Sequence, residues 1–160
     1  MADASSSSFK VEGLDIEGGG MIRLSGVIDE HPDLSFLSKL KGRVHISLKG
    51  VRRINSFGVR AWIDAIRRVP AEANLEFIEC PPPVIDQINM VAGFLGRGKV
   101  LSFFAPMTCD KCDVEINQLF QTAEVKKNNS KLPAVKCPKC GGGMEVDDLE
   151  DQYLLFVRDQ

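Results

Sequence analysis

Residues 43–63 read RVHISLKGVRRINSFGVRAWI, and two different periodicities meet inside this stretch. In its first half every second residue is apolar: Val44, Ile46 and Leu48. This alternation predicts a strand with one buried face. His45 falls on the opposite face, so we expect it to be a surface residue without a catalytic role.

The second half predicts an amphipathic helix over residues 58–69, and Pro70 ends the pattern. Its apolar residues recur at helical spacing and are expected to pack on a sheet: Val59, Trp62, Ile63, Ile66 and Val69. Four arginines are expected to be exposed on or just before the helix: Arg52, Arg53, Arg60 and Arg67. The stretch therefore predicts a strand, a polar corner and a helix.

The same periodicities on either side predict an α/β domain over residues 9–104. Upstream, two alternating segments and Gly18–Gly20 predict a hairpin, and a short helix is expected to start at Pro32. Downstream, NLEFIE and KVLSFFAP are typical of strands, with a short helix, VIDQINMV, between them. The order β–β–α–β–α–β–α–β predicts one mostly parallel sheet with packed helices.

Composition limits the function classes. The chain has 160 residues, 26% of them charged, and a net charge of −2, which argues against binding nucleic acid by electrostatics alone. No apolar run approaches the roughly 20 residues that span a bilayer, so we expect no membrane insertion. The start, MADASSSSFK, lacks the regions of a secretory signal and predicts a disordered lead over residues 1–8. We therefore expect a cytoplasmic protein.

Residues 105–160 differ from the part before them. Helical periodicity fades, acidic residues outnumber basic ones, and short strands are predicted at VEINQLF, MEVDD and QYLLFV. KKNNSK at 126–131 is predicted to be a basic loop. A boundary near Ala105 and Pro106 is therefore expected.

Four cysteines in this second part have the spacing of a metal site. Cys109-x2-Cys112 and Cys137-x2-Cys140 are separated by 24 residues. Each Cys-x2-Cys turn brings two thiolates to one ion, and two turns complete a tetrahedral zinc site. Since four protein ligands leave no open position, the expected zinc is structural, one per chain.

Two features of the turns bear on this site. Backbone N–H groups can point at the sulfurs if the chain takes a positive φ near the second cysteine, and Gly141–Gly143 allow that. The first turn, TCDKCDV, has no following glycine. A redox dithiol is the competing interpretation of one such pair. The fifth cysteine, Cys80, is predicted to be a small buried residue without chemistry.

The first part resembles STAS domains, the family shared by sulphate transporters and bacterial anti-sigma-factor antagonists. The resemblance is carried by the opening hairpin, by RVHISLKGVRRINSFGVRAWI and by the strand–helix–strand run after it. The antagonists typically have Asp-Ser-(Ser/Thr)-Gly at this corner, and a partner kinase phosphorylates the first serine. The resemblance thus implies phosphorylation at Ser56, with Gly58 matching the glycine. Asn55 and Phe57 depart from the family pattern. The cysteine-rich part resembles a zinc ribbon.

The corner has two interpretations that the sequence leaves open. Asn55 or Ser56 can cap the helix, which is worth about 1 kcal/mol. A phosphate on Ser56 would instead lie at the positive end of the helix, with Arg52 and Arg53 close in sequence. The expected partner-binding residues are Arg52, Arg53, Asn55, Ser56, Phe57, Gly58 and Arg60.

The leading functional hypothesis is a non-enzymatic cytosolic signalling protein. It would bind a regulatory protein, such as a histidine-kinase-like serine kinase, through the Ser56 corner and helix 58–69. The alternative is nucleic-acid binding through the ribbon and the basic loop 126–131, although the segment is acidic overall and the loop lacks aromatic residues. Two histidines, no phosphate loop and a closed metal site argue against an enzyme.

Overall fold

The computed structural model describes residues 8–14, 20–147 and 149–160. The turn predicted at Gly18–Gly20 and the lead predicted over residues 1–8 lie almost wholly outside these ranges. None of the described helices is long and apolar enough to cross a membrane.

The first sheet has five strands that lie side by side in chain order. They are β1 (Lys10–Leu14), β2 (Met21–Ile28), β3 (Gly42–Ile54), β4 (Ala73–Ile78) and β5 (Lys99–Val100). β1 pairs with β2 antiparallel, and the pairs β2–β3, β3–β4 and β4–β5 are all parallel. The prediction of a mostly parallel sheet that starts with a hairpin is confirmed.

Among the described residues, two α-helices and one short 3₁₀ helix connect these strands. They are the 3₁₀ helix Ser35–Lys39, α1 (Ser56–Ile66) and α2 (Pro82–Met90). Trp62 and Ile66 of α1 are buried, and Val59 and Ile63 pack against the core. The four arginines predicted to be exposed are exposed. Since Arg60 lies on α1 and Arg67 is its C-cap, the predicted helical phase is confirmed, although the helix spans Ser56–Ile66 and not the predicted 58–69.

Trp62 is fixed at the centre of this packing. Its indole N–H donates a 2.7 Å hydrogen bond to the Phe94 carbonyl oxygen, and its ring stacks on that of Phe94 with centroids 5.5 Å apart. At the other end of α1, Gly58 lies against β2: a Cβ at this position would be 2.0 Å from the Ile28 carbonyl oxygen. Glycine at 58 therefore allows a close contact between helix and sheet.

The second sheet is small and antiparallel. Its strands are β6 (Ser102–Cys109), β7 (Glu115–Gln121) and β8 (Met144–Val146), in the order β7-β6-β8. Three short helices accompany it: α3 (Thr122–Lys127), α4 (Glu150–Tyr153) and α5 (Leu155–Arg158). β6 crosses the boundary expected near Ala105, and the division into two domains stays a prediction.

KVLSFFAP was predicted as one strand, and that prediction is wrong. Lys99 and Val100 close the first sheet as β5, whereas β6 starts at Ser102 in the second sheet. Glu79 has a left-handed backbone, with φ +53°, and it ends β4. Beyond Val100 the chain stays bonded to the same segment, because Leu101 N–H donates to the Phe77 carbonyl oxygen at 2.8 Å and Phe103 forms a parallel bridge with Cys80. From Ser102 onward its strand neighbours are β7 and β8.

QYLLFV was predicted as a strand, and it is instead the helical pair α4 and α5. Its buried residues recur at helical spacing: Tyr153, Leu154, Phe156 and Val157. Asn89 of α2 holds the junction, because its side-chain amide donates to the Tyr153 carbonyl oxygen (3.0 Å) and accepts from the Phe156 N–H (3.0 Å). The C-terminal helices therefore pack against the first part of the chain.

The basic loop 126–131 is only partly a loop. Lys126 and Lys127 form the last turn of α3, and the turn that follows has left-handed residues at Asn129 and Ser130. Helical backbone continues through these lysines because Val125 is fully buried and anchors α3.

Candidate metal centre and helix corner

The structure brings the sulfurs of Cys109, Cys112, Cys137 and Cys140 within 4.8 Å of one another. The closest approaches join the two turns: 3.4 Å between the sulfurs of Cys109 and Cys140, and 3.5 Å between those of Cys112 and Cys137. Sulfurs at about 2.3 Å from a tetrahedral ion lie about 3.8 Å apart. The four cysteines are therefore positioned to bind one metal ion.

The two turns have matching backbone geometry. The N–H groups of Lys111 and Lys139 each point at the sulfur of the cysteine two residues before them, at 3.4 Å. In the second turn Gly142 N–H also points at the Cys140 sulfur, at 3.4 Å. These amides favour thiolates over thiols, as a metal site requires.

A positive φ follows the second cysteine of each turn. Gly141 has φ +75°, as the glycine run predicts, and Asp113 has φ +59° at the matching position of the first turn. Aspartate adopts the left-handed region more readily than most residues other than glycine. This residue explains how TCDKCDV forms the turn without a glycine.

The pKa values of Cys109, Cys112 and Cys137 are shifted in different directions. The amides of Cys140 and Lys139 lower the pKa of Cys137 to about 6, and the Cys112 and Lys111 amides lower the pKa of Cys109. The Val114 amide lowers the pKa of Cys112 too, but loss of water and the neighbouring sulfurs raise it to about 12. The neighbouring sulfurs thus disfavour the thiolate of Cys112, and a bound cation would stabilise the thiolate form.

The remaining cysteine is separate from this group. Cys80 is fully buried, and burial raises the pKa of its thiol well above the usual range. The prediction that Cys80 is a buried residue is confirmed.

The helix corner has a definite cap. The Asn55 side-chain oxygen accepts a 2.9 Å hydrogen bond from the Gly58 N–H, so Asn55 is the N-cap and Ser56 is the first residue of α1. Ser56 is exposed. Of the two capping residues considered, the structure selects Asn55.

Phe57 is an exposed aromatic residue at this corner. Its side chain is 57% exposed although it lies in the first turn of a helix that packs on the core. A groove of about 600 Å³ runs beside it, and its lining includes Glu30, His31, Pro32, Phe57 and Arg60. Pro32 was predicted to start a helix, but it lies in the loop with Glu30 and His31, and the 3₁₀ helix starts at Ser35.

His45 lies on the sheet face predicted for it, with 39% of its side chain exposed. Its Nε2 lies 3.9 Å from Glu76, a carboxylate that also pairs with the Arg43 guanidinium at 3.1 Å. The charges on this face are thus at least partly neutralised between neighbouring strands.

Comparison of the chain with models of protein families, with curated proteins and with solved structures found no match.

Proposed function

We propose that this chain is a non-enzymatic signalling protein made of a STAS-like domain and a zinc ribbon. The STAS-like domain binds a regulatory protein through the corner at Ser56 and the exposed face of α1. The partner is a histidine-kinase-like serine kinase of the anti-sigma type. Support comes from the mostly parallel sheet that begins with a hairpin and from the polar corner after β3.

The exposed Phe57 carries this proposal. The Asn55 cap and the contact of Gly58 with Ile28 fix the first turn of α1, so Phe57 is presented to water by a rigid backbone. Exposed aromatic side chains on rigid elements are typical anchors of protein interfaces. Arg60 is exposed one turn further along the helix and can supply charge at the rim.

Ser56 is the residue that regulates partner binding in this proposal. Its hydroxyl is exposed beside Phe57, and phosphorylation would add nearly two negative charges to the proposed contact surface. The phosphate would lie at the positive end of α1, so the helix would remain folded while the partner is repelled.

The interface can be tested with purified variants. Capture from an extract of the native host, followed by mass spectrometry, identifies the partner, and calorimetry then measures its affinity. Phe57→Ala is expected to weaken binding about tenfold or more, because anchor residues contribute above 1 kcal/mol. Met90→Ala is the matched control, since Met90 is 70% exposed on another helix. Equal affinity of the Phe57→Ala variant and the wild type would overturn the proposal.

The metal of the second sheet is proposed to be structural zinc, one ion per chain. Four cysteine sulfurs at these separations fit zinc, and they leave no open position for a substrate. Metal analysis is expected to find one zinc in the wild type and a large loss in Cys137→Ser. Cys80→Ala is the control, because Cys80 lies outside the cluster. Unchanged zinc in Cys137→Ser would contradict the site.

Nucleic-acid binding through the ribbon is the weaker candidate. The Lys126 ammonium donates a 2.5 Å hydrogen bond to the Gln160 carbonyl oxygen, which leaves it less free to contact a phosphate. Binding to any nucleic acid that weakens steeply with salt would favour this candidate instead.

A further inference from the structure

Three of the four edge strands in the described residues carry features that block pairing with another strand. β1 has two charged residues, Lys10 and Glu12. β5 has two residues, and the Gln160 side chain bonds both the N–H and the carbonyl oxygen of Val100, at 2.5 and 3.1 Å. β8 is three residues long. Short length, charge and side-chain cover are the usual protection of sheet edges.

β7 is the exception. It has seven residues, EINQLFQ, and Glu115 is its one charged residue. It contains no proline, and its pairing with β6 runs without a bulge from Glu115 to Gln121. A long, regular and nearly uncharged edge is a template for another strand.

The ladder with β6 determines which backbone groups of β7 are available. The Val114 carbonyl oxygen accepts from Cys109 N–H, and Thr122 N–H donates to the Leu101 carbonyl oxygen, both at 2.9 Å. Backbone groups alternate between the two sides of a strand, so even-numbered residues of β7 face β6 and odd-numbered residues face outward. Pro106 agrees with this assignment, because it lacks an N–H and lies opposite an odd-numbered residue, Asn117.

The outward residues are Glu115, Asn117, Leu119 and Gln121. All four are exposed. Within the part of the chain that the structure describes, one bond to their outward groups is found: the Gln118 side-chain amide donates to the Leu119 carbonyl oxygen at 3.1 Å.

We propose that β7 pairs antiparallel with β7 of a second copy of this chain, which joins the two small sheets into one of six strands. With Gln118 on the two-fold axis, Asn117 of each copy lies opposite Leu119 of the other. Both residues face outward, so this register brings donors and acceptors together. The interface is independent of the proposed partner at α1.

The charge pattern allows a second copy as the occupant, and the closure of a two-fold pairing favours it. In this register Glu115 lies opposite Gln121 of the other copy, so the two Glu115 carboxylates do not face each other. Leu119, which is 36% exposed in the single chain, lies beside the neutral residues of the other strand. A two-fold pairing also gives a closed dimer, because each copy pairs through β7, the one unprotected edge strand among the described residues.

The test is the molar mass in solution, measured by light scattering on a sizing column in reductant with zinc present. The reductant excludes disulfides through the exposed Cys140. Wild-type protein is expected to have the mass of two chains. Asn117→Pro removes an outward N–H without touching the ladder to β6, and it is expected to raise the dimer dissociation constant about tenfold or more. Asn117→Ala is the matched control and should remain dimeric.

A second variant distinguishes a loss of pairing from misfolding of the chain. Leu119→Lys places the natural protection of an edge strand at an outward position and should also yield single chains. Zinc content and the circular dichroism of both variants should match the wild type. The proposal would be overturned if the wild type were a single chain, or if Leu119→Lys remained dimeric with native zinc content. It would also be overturned if Asn117→Ala dissociated as much as Asn117→Pro, or if the wild type bound only added extended peptides and not a second copy.

Discussion

Replacing Asn55 with alanine removes the acceptor of the 2.9 Å hydrogen bond that caps α1. The loss of such a cap is expected to lower the free energy of unfolding by about 1 kcal/mol. Ser56, one residue later, is exposed, and its hydroxyl makes no hydrogen bond among the described residues. Ser56→Ala is therefore expected to change stability by less than about 0.5 kcal/mol.

The charged variants sharpen this comparison. Asn55→Asp should stay near the wild type because aspartate caps as well as asparagine. Ser56→Asp places a negative charge in the first turn and should be neutral or stabilising by about 0.3 to 1 kcal/mol. If Ser56→Asp folds normally and binds the partner more weakly, the role of Ser56 lies in the contact and not in the fold.

Urea unfolding followed by tryptophan fluorescence measures all four variants. Trp62 is the one tryptophan of the chain, and it is buried in α1 against Phe94. Its signal therefore reports the packing of this helix. Equal slopes of the transitions would show that only stability changed. A loss of about 1 kcal/mol in Ser56→Ala with none in Asn55→Ala would refute the assignment of the cap.

Three further predictions follow from named contacts. Gly58→Ala should lower the free energy of unfolding by about 1 to 3 kcal/mol, because the new Cβ meets the Ile28 carbonyl oxygen; the same fluorescence assay measures it, and a stabilised variant would contradict it. Chelation of the metal should raise hydrogen exchange at the two cysteine turns while α1 stays protected, and Cys137→Ser should do the same. Ser35→Ala should raise the pKa of Asp33 towards its ordinary value, because the Ser35 hydroxyl and amide lower it; NMR titration measures this change. In the wild type these hydrogen bonds stabilise the folded protein at pH values above the ordinary pKa of Asp33. That stabilisation is lost as the pH falls through the lowered pKa of the folded state.

Periodic segments were predictable from the sequence because the sheet imposes the period directly. Val44, Ile46 and Leu48 alternate and are all buried, and Trp62 and Ile66 lie one turn apart on the buried face of α1. Local periodicity and tertiary packing agree over this stretch. The cysteine spacing was equally informative, since two short turns meeting at one ion leave little freedom.

The errors arose where distant residues decide the local structure. QYLLFV is an almost continuous apolar run, so its period in the sequence is weak, and the two helices that it forms are hydrogen-bonded to Asn89 far earlier in the chain. KVLSFFAP divides beside Glu79, which has a left-handed backbone and whose N–H donates to the Ser102 hydroxyl. Asn55 and Ser56 are both good capping residues, and only the path of the chain selects between them.

The metal centre and the α1 corner share one core, but we expect that loss of the metal leaves the corner unchanged. Cys109 ends β6, whereas the start of β6 is anchored by Phe103, which is fully buried and meets the Phe156 ring edge-on at 4.9 Å. Loss of metal should therefore loosen the cysteine turns and the start of β7, which follows Cys112 closely. Phe103 and the first sheet should hold. Metal removal is accordingly expected to weaken the proposed pairing through β7 and to leave partner binding at Phe57 unchanged. If chelation of the metal abolished partner binding at Phe57, the metal centre and the α1 corner would be coupled in a way that this packing does not explain.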